Sequence, residues 1–152
     1  PVVGADLRRR CMLHQDYIMK MLMDLATAVM RTITLQSTQK DPEEAARSLE
    51  EAVGQAVALD GGAFLALAPD SIAQIMQVMG TDPGVSEYVA RSILLASAYQ
   101  AEAGNAELAT LRRDQARAIA EAYGHDISDM QGGSQTMEPI LTEALADFVP
   151  ES

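Results

Sequence analysis

A pattern that begins a helix occurs twice in this chain, and each time small or apolar residues follow it at helical spacing. The first is Asp41-Pro42-Glu43-Glu44 and the second is Gly104-Asn105. The residues that follow on one helical face are Ala45, Leu49, Ala52 and Ala56 in the first segment, and Ala109, Ala116 and Ala120 in the second. Small side chains let two helices approach closely, and a short turn folds each helix back on the preceding one. The pattern therefore predicts an all-α fold of packed antiparallel helical hairpins.

Composition agrees with a helical fold and argues against several classes of partner. Hydrophobic residues make up 48% of the chain and aromatic residues only 4%, whereas β-sheets are rich in aromatic and β-branched residues. The 22 acidic and 11 basic residues give a net charge of -11, which repels nucleic acid and anionic membrane surfaces. The single cysteine, Cys11, has no partner for an intramolecular disulfide, as is typical of cytoplasmic proteins. We expect a cytoplasmic protein that binds neither nucleic acid nor membrane.

Proline, glycine and polar residues divide the chain into about six to seven helices. The predicted long helices cover about 15–35, 42–59, 69–79, 85–103 and 106–123, with a short apolar turn near 63–67. Residues 1–13 are expected to be an N-terminal extension, either disordered or helical, before a helical-hairpin domain over 14–126. Gly132-Gly133 marks a flexible connector over 127–135. The last segment, 136–152, is expected to form a short helix and a tail, with Ile140, Leu141, Leu145 and Phe148 as its apolar positions.

The first predicted helix is apolar around most of its circumference. Charged residues are confined to a narrow stripe through Lys20, Asp24 and Arg31, so the stretch fits neither a signal peptide nor a membrane span. A helix this apolar has to be covered on more than one side, by its own bundle or by a second chain. We expect a homodimer that uses this helix. The predicted interface residues are Tyr17, Ile18, Met19, Met21, Leu22, Leu25 and Val29.

The sequence contains no complete catalytic, cofactor-binding or metal-binding set of residues. His125, Asp126 and Asp129 are metal-ligand types, but a polar helix end is the simpler interpretation because nothing elsewhere completes the set. Cys11 and His14 are three residues apart, yet no third group orients them for nucleophilic catalysis. We therefore expect no catalytic residue, no cofactor and no metal, and thus a protein that is not an enzyme.

Three arginines suggest a small basic face on an otherwise acidic chain. They are Arg112, Arg113 and Arg117. Arg113 and Arg117 are one helical turn apart and could together bind a carboxylate or a phosphate. The alternative is ion pairing along the helix surface with Asp114 and Glu121.

Two segments resemble helices of tetratricopeptide repeats, in which small residues stand where paired helices touch. The first is Asp41-Pro42-Glu43-Glu44-Ala45 with Leu49 and Ala52, and the second is Leu95-Ala96-Ser97-Ala98-Tyr99 followed by Gly104-Asn105 and Ala109. The order of Gln15-Asp16-Tyr17-Ile18-Met19-Lys20-Met21, an acidic capped helix, the Leu65-Ala66-Leu67-Ala68-Pro69 turn and a final hairpin resembles a family of short bacterial proteins of unknown function. The resemblance covers about 12–126. It implies a bacterial origin and a tetratricopeptide-like fold, and no activity.

Two functions are compatible with this sequence. The first is a non-enzymatic helical-repeat module for interaction or assembly, which associates with itself and with an unidentified protein partner. Stacked hairpins without a convergent polar site are suited to that role. The alternative is a regulatory protein that binds a small apolar ligand in a cavity between the first helix and the Ile72–Met79 segment. The sequence specifies neither the partner nor the physiological role.

Overall fold

A computed structural model of the protein describes residues 2–57 and 60–127, without the side chains of 2–17 and 37. It contains six helices, α1 (Val2–Gln39), α2 (Pro42–Ala56), α3 (Gly61–Leu65), α4 (Pro69–Val78), α5 (Pro83–Glu102) and α6 (Ala106–Tyr123). No strand occurs within those two ranges. The all-α prediction is confirmed. The predicted C-terminal helix over 136–152 and the connector beyond 127 lie outside the described residues.

α1 is longer than the sequence analysis predicted at both ends. The prediction covered about 15–35, whereas the helix runs from Val2 to Gln39 and includes most of the expected extension over 1–13. No proline or glycine occurs between Gly4 and Lys40, so nothing interrupts the helical hydrogen bonds. The helix ends where Lys40 adopts a positive φ of 47°. The predicted boundary after residue 13 therefore falls inside one continuous helix.

Side-chain caps start two of the helices at the expected places. The Asp41 carboxylate accepts a hydrogen bond from the Glu44 backbone N–H at 3.2 Å, and Asp82 accepts one from the Gly84 N–H at 2.8 Å. Each cap satisfies a backbone donor that has no partner inside the helix. Gly124 ends α6 in a left-handed conformation with φ of 73°, which costs glycine little. The predicted helix start at Asp41 and the predicted end of the 106–123 helix are confirmed.

α5 is the central helix of the fold. It packs against α2 and α6, while α4 covers α6, α3 packs against α2, and α1 contacts α2 and part of α5. A short turn over 103–105 joins α5 to α6. The Ser97 hydroxyl on α5, six residues before that turn, donates to the carbonyl of Ala109 on α6, four residues after it, at 2.5 Å. The two helices therefore form an antiparallel hairpin, as predicted.

The small residues after the two helix starts contribute to one hydrophobic core. Those that are buried are Ala45, Leu49, Ala56, Ala109, Ala116 and Ala120. Ala52 is partly buried and packs against the same core. Large side chains from other helices, such as Phe64 and Ile93, fill the space between these close contacts. Both predicted helical faces are confirmed as packing faces.

Candidate functional site

A groove of about 980 Å³ lies along the α5–α6 hairpin. Small and apolar residues make up most of its lining, namely Leu94, Leu95, Ala98 and Ala101 from α5 and Ala106, Ala109 and Ala120 from α6. Arg113 and Arg117 line the groove along α6. His125, Asp126 and Ile127 line it just after the end of α6. The apolar part of the lining that α6 contributes consists of alanines. Two guanidinium groups of the same helix lie beside them.

The structure brings the two residues of the predicted anion contact to this groove. Arg113 and Arg117 are both exposed. Among the described residues, neither forms an ion pair with a carboxylate, so the alternative pairing with Asp114 and Glu121 is not seen there. Glu121 also lines the groove, one turn beyond Arg117. The two guanidinium groups remain accessible to a carboxylate that enters the groove.

Arg112 does not belong to a basic face, contrary to the sequence analysis. Its side chain is buried, and its Nε donates to the Glu50 carboxylate on α2 at 2.6 Å. Its Nη1 donates to the Leu65 backbone carbonyl at 2.7 Å. Position 112 lies on the same helical face as Ala109 and Ala116, which explains why this arginine points inward. The basic face of α6 therefore consists of Arg113 and Arg117 only.

Gln115 extends this buried network and was missed by the sequence analysis. Its Nε2 donates to the backbone carbonyls of Leu65 and Leu67, at 2.9 and 2.8 Å. Gln100 on α5 donates to the same Glu50 carboxylate at 3.2 Å. The signal for this network was present, because Arg112 and Gln115 interrupt the apolar face of α6. The network satisfies polar groups inside the fold, so its role is to join α2, α5 and α6 to the end of α3.

Ser86 and His125 are adjacent but are poorly arranged for catalysis. The distance from Ser86 Oγ to His125 Nε2 is 2.9 Å, and the Pro83 carbonyl oxygen lies 2.9 Å from the same Nε2. A carbonyl only accepts hydrogen bonds, so a protonated Nε2 satisfies this contact but cannot act as a general base. The Ser86 hydroxyl donates to Pro83 at 2.7 Å and is fully buried. The arrangement ties the end of α6 to the start of α5.

The residues considered as metal ligands do not form a site within the described ranges. No group of three or more His, Cys, Asp or Glu side chains there could hold a metal ion. The His125 ring stacks on Tyr123, with the ring centroids 6.0 Å apart. Asp129 lies outside the described residues, as do the side chains of Cys11 and His14.

The predicted interface residues of α1 fall into two groups. Leu22, Leu25 and Val29 are buried in the chain's own core, so they are not available to a second copy in this structure. Partly buried residues form the other group, namely Ile18, Met19 and Met21. The Tyr17 side chain lies outside the described residues. Two apolar residues that the prediction did not include, Met23 and Leu35, are 48% and 45% exposed.

The segment considered for an apolar ligand packs differently from the cavity that was expected. Ile72 and Met76 on α4 are fully buried in the core, and the main neighbour of α4 is α6 rather than α1. Ile75, Val78 and Met79 face the solvent, with Val78 83% exposed. In the described part of the chain, α4 therefore has one apolar face that is buried in the core and another that is exposed to solvent.

Comparisons with protein-family models, with curated proteins and with solved structures find no match for this chain. The resemblance to tetratricopeptide repeats therefore rests on the residues of the two segments. No helix in the described part of the chain has the length and apolar character needed to cross a membrane.

Proposed function

We propose that this protein is a non-enzymatic interaction module that binds an amphipathic helix of another protein in the α5–α6 groove. The observation that carries the proposal is the position of Arg113 and Arg117 beside an alanine-rich lining. An apolar helix face can pack into such a groove, and carboxylates at its edge can pair with the guanidinium groups. The partner segment is therefore expected to be apolar on one face and acidic beside it.

The small side chains that line the groove support a helical partner. Ala98 and Ala101 on α5 and Ala106 and Ala109 on α6 all line the groove, so larger side chains of a partner can pack against them. Two other sides of this hairpin are packed, since α2 lies against α5 and α4 lies against α6. The groove is a side of the hairpin on which a further helix can pack.

The charge of the whole chain limits how tightly an acidic partner binds. The net charge of -11 repels an acidic segment at long range, but this repulsion is screened beyond about 8 Å at physiological salt. Pairing with Arg113 and Arg117 acts at contact distance, where two charge-assisted hydrogen bonds can form. We expect binding in the micromolar range that weakens as salt is added.

We further propose a tetratricopeptide-like arrangement of the helices, a bacterial origin and a cytoplasmic location, each inferred first from the sequence. Helical hairpins that pack through small residues support a tetratricopeptide-like arrangement, and modules of stacked hairpins present extended binding surfaces. Bacterial origin is part of the same proposal through the family resemblance. A cytoplasmic location is part of it through the single Cys11.

Fluorescence anisotropy of a labelled peptide tests the proposal. The probe is a peptide of about four helical turns with leucines on one face and glutamates beside them. We expect the full chain to bind it, and Arg113→Glu/Arg117→Glu to weaken binding at least about tenfold through loss and reversal of two ion pairs. A peptide with lysines in place of the glutamates is the matched probe control. Equal binding of both peptides, or unchanged binding by the double variant, would contradict the proposal.

We also propose that the protein associates with itself through the uncovered side of α1. Met23 and Leu35 are exposed, and Met19, Met21 and Met30 are only partly buried. α1 packs against α2 and part of α5, which leaves part of its apolar surface facing solvent. Methionine side chains adapt readily to a second surface. Self-association would cover this surface and account for the apolar circumference of the helix.

A further inference from the structure

We propose that the chain's own C-terminal segment, residues 136–149, docks in the α5–α6 groove and competes there with the partner helix. The competition rests on the proposed function of the groove, whereas the docking can be measured without any partner. The segment lies outside the described residues. Three properties of the groove and of the sequence support it as the occupant, namely where the chain leaves the fold, the pattern of apolar residues, and charge.

The chain leaves the described structure at the groove itself. Ile127, the last described residue, is buried and lines the groove beside Asp126. Residues 128–135 follow, and a fully extended chain of that length spans about 26 to 29 Å. α6 has 18 residues and is therefore about 27 Å long. Residues 136–149 can thus reach any part of the groove of the same molecule.

The sequence of the segment predicts an amphipathic helix that suits the groove lining. Ile140, Leu141, Leu145 and Phe148 fall within one half of a helical wheel. Thr136 can cap the helix, and Pro139 falls in its first turn, where proline is tolerated. The groove offers small side chains to this face. Bulky residues of the segment therefore meet alanines, which is the arrangement that close helix packing requires.

Two carboxylates of the segment match the two guanidinium groups in the groove, whose lining also includes Glu121 and Asp126. No lysine or arginine follows Arg117 in the sequence, so Arg113 and Arg117 are the last cations before an acidic C-terminal region. Glu143 and Asp147 are one helical turn apart, with the same spacing as Arg113 and Arg117. On the helical wheel both carboxylates lie on the edge of the apolar face next to Ile140. A docked helix can therefore place two carboxylates beside two guanidinium groups.

Docking within one molecule needs little affinity. A short connector holds the two surfaces at an effective concentration in the millimolar range, whereas a second copy is present at micromolar concentration. Even weak pairing therefore favours the segment of the same chain over that of a neighbour. A partner helix in solution has to displace the segment, which makes the C-terminal region a regulator of the groove.

Hydrogen–deuterium exchange on the full chain tests the docking. We expect the amides of 140–148 to be protected in the wild type, and Arg113→Glu/Arg117→Glu to reduce this protection at least about tenfold. Adding Glu143→Arg/Asp147→Arg to that variant restores opposite charges and should restore protection. Lys20→Glu/Arg31→Glu, which makes the same charge change on the exposed stripe of α1, is the matched control and should leave protection unchanged.

Other results would contradict the docking or the competition, and they differ from those that would contradict the proposed function. Full exchange of 140–148 in the wild type, or protection indifferent to both arginines, would exclude docking in the groove. Protection that rises with protein concentration would identify a second copy as the occupant. Phe148→Asp should release the segment and tighten binding of the glutamate peptide several-fold. If residues 140–148 are protected in the wild type but Phe148→Asp binds the glutamate peptide no more tightly than the wild type does, the segment docks in the groove without competing with the partner.

Discussion

The Glu50 carboxylate on α2 accepts a hydrogen bond from the Arg112 guanidinium on α6, with 2.6 Å between Oε1 and Nε. Only 19% of the Glu50 side chain and 9% of the Arg112 side chain are exposed. Two charges in such a place are costly to desolvate, and each depends on the other for compensation. Arg112 also satisfies the Leu65 carbonyl at the end of α3. The pair therefore joins three helices.

Removing one member of this pair should destabilise the protein strongly. Arg112→Ala leaves the Glu50 carboxylate largely buried without its cation and the Leu65 carbonyl short of one donor. We expect the free energy of unfolding to fall by about 3 to 5 kcal/mol in chemical denaturation. Arg113→Ala, the next residue on the exposed side, is the matched control and should change it by less than about 0.5 kcal/mol. Similar effects at both positions would show that the buried contact is not the cause.

The start of α3 depends on the absence of a side chain at Gly61. A Cβ built there would lie 2.8 Å from the backbone carbonyl oxygen of Glu50, so α2 and α3 could not approach as closely. Gly61→Ala should therefore lower the free energy of unfolding by about 1 to 3 kcal/mol, as overpacking does. At Gly62 the nearest atom would be Asp60 Oδ1 at 3.7 Å, so Gly62→Ala should be neutral or raise stability by up to about 1 kcal/mol. Equal thermal midpoints for the two variants would contradict this account.

Local signals in the sequence were sufficient for most of the fold. The helix start at Asp41, the end of the 106–123 helix and the alanine faces each depend on a few neighbouring residues, and all of them were predicted correctly. The ends of α1 were not, because a polar stretch before Lys40 resembles a linker in sequence while nothing in it breaks a helix. Polarity marks exposure, whereas helix ends depend on backbone conformation and on breakers such as proline and glycine.

The site was predictable in part for the same reason. Arg113 and Arg117 share a face by spacing alone, and the structure places both in the groove. The inward direction of Arg112 depends on Glu50, which is 62 residues away in the sequence and reaches it only through the packing of α2 and α6. Likewise, the burial of Leu22 and Val29 depends on which side of α1 faces α2 and α5. Contacts of this kind between distant residues are set by the tertiary fold.

Tyr123 should make stability depend on alkaline pH. Burial raises the pKa of Tyr123, and the nearby Asp82 carboxylate raises this pKa further. Because the folded protein holds this proton more tightly than the unfolded chain, its contribution to stability is complete below about pH 10 and is lost as the pH rises above that value. Tyr123→Phe removes both this contribution and the hydrogen bond to the Thr81 carbonyl. The stability difference between wild type and variant should therefore shrink above pH 10 in urea denaturation, and a constant difference would contradict the assignment.

Self-association through α1 should be sensitive to charge on one side of that helix. Met23 is 48% exposed, so Met23→Glu removes apolar surface from the proposed interface without opening the core. The hydrophobic term of about 25 cal/mol per Å² outweighs the screened repulsion between two acidic chains only while the contact is desolvated. A buried carboxylate in the contact should therefore shift the dimer to monomer. Gln74→Glu introduces the same carboxylate at an exposed position of α4, away from α1, and is the control.

Light scattering of the full chain across the micromolar range measures this equilibrium. We expect a mass that rises toward that of a dimer for the wild type and for Gln74→Glu, although the added charge weakens the latter slightly. Met23→Glu should remain monomeric at the same concentrations, with an unchanged circular dichroism spectrum, because the substitution lies outside the buried face formed by Leu22, Leu25 and Val29. A wild type that is monomeric throughout, or a dimer that Met23→Glu leaves intact, would rule out α1 as the contact between copies.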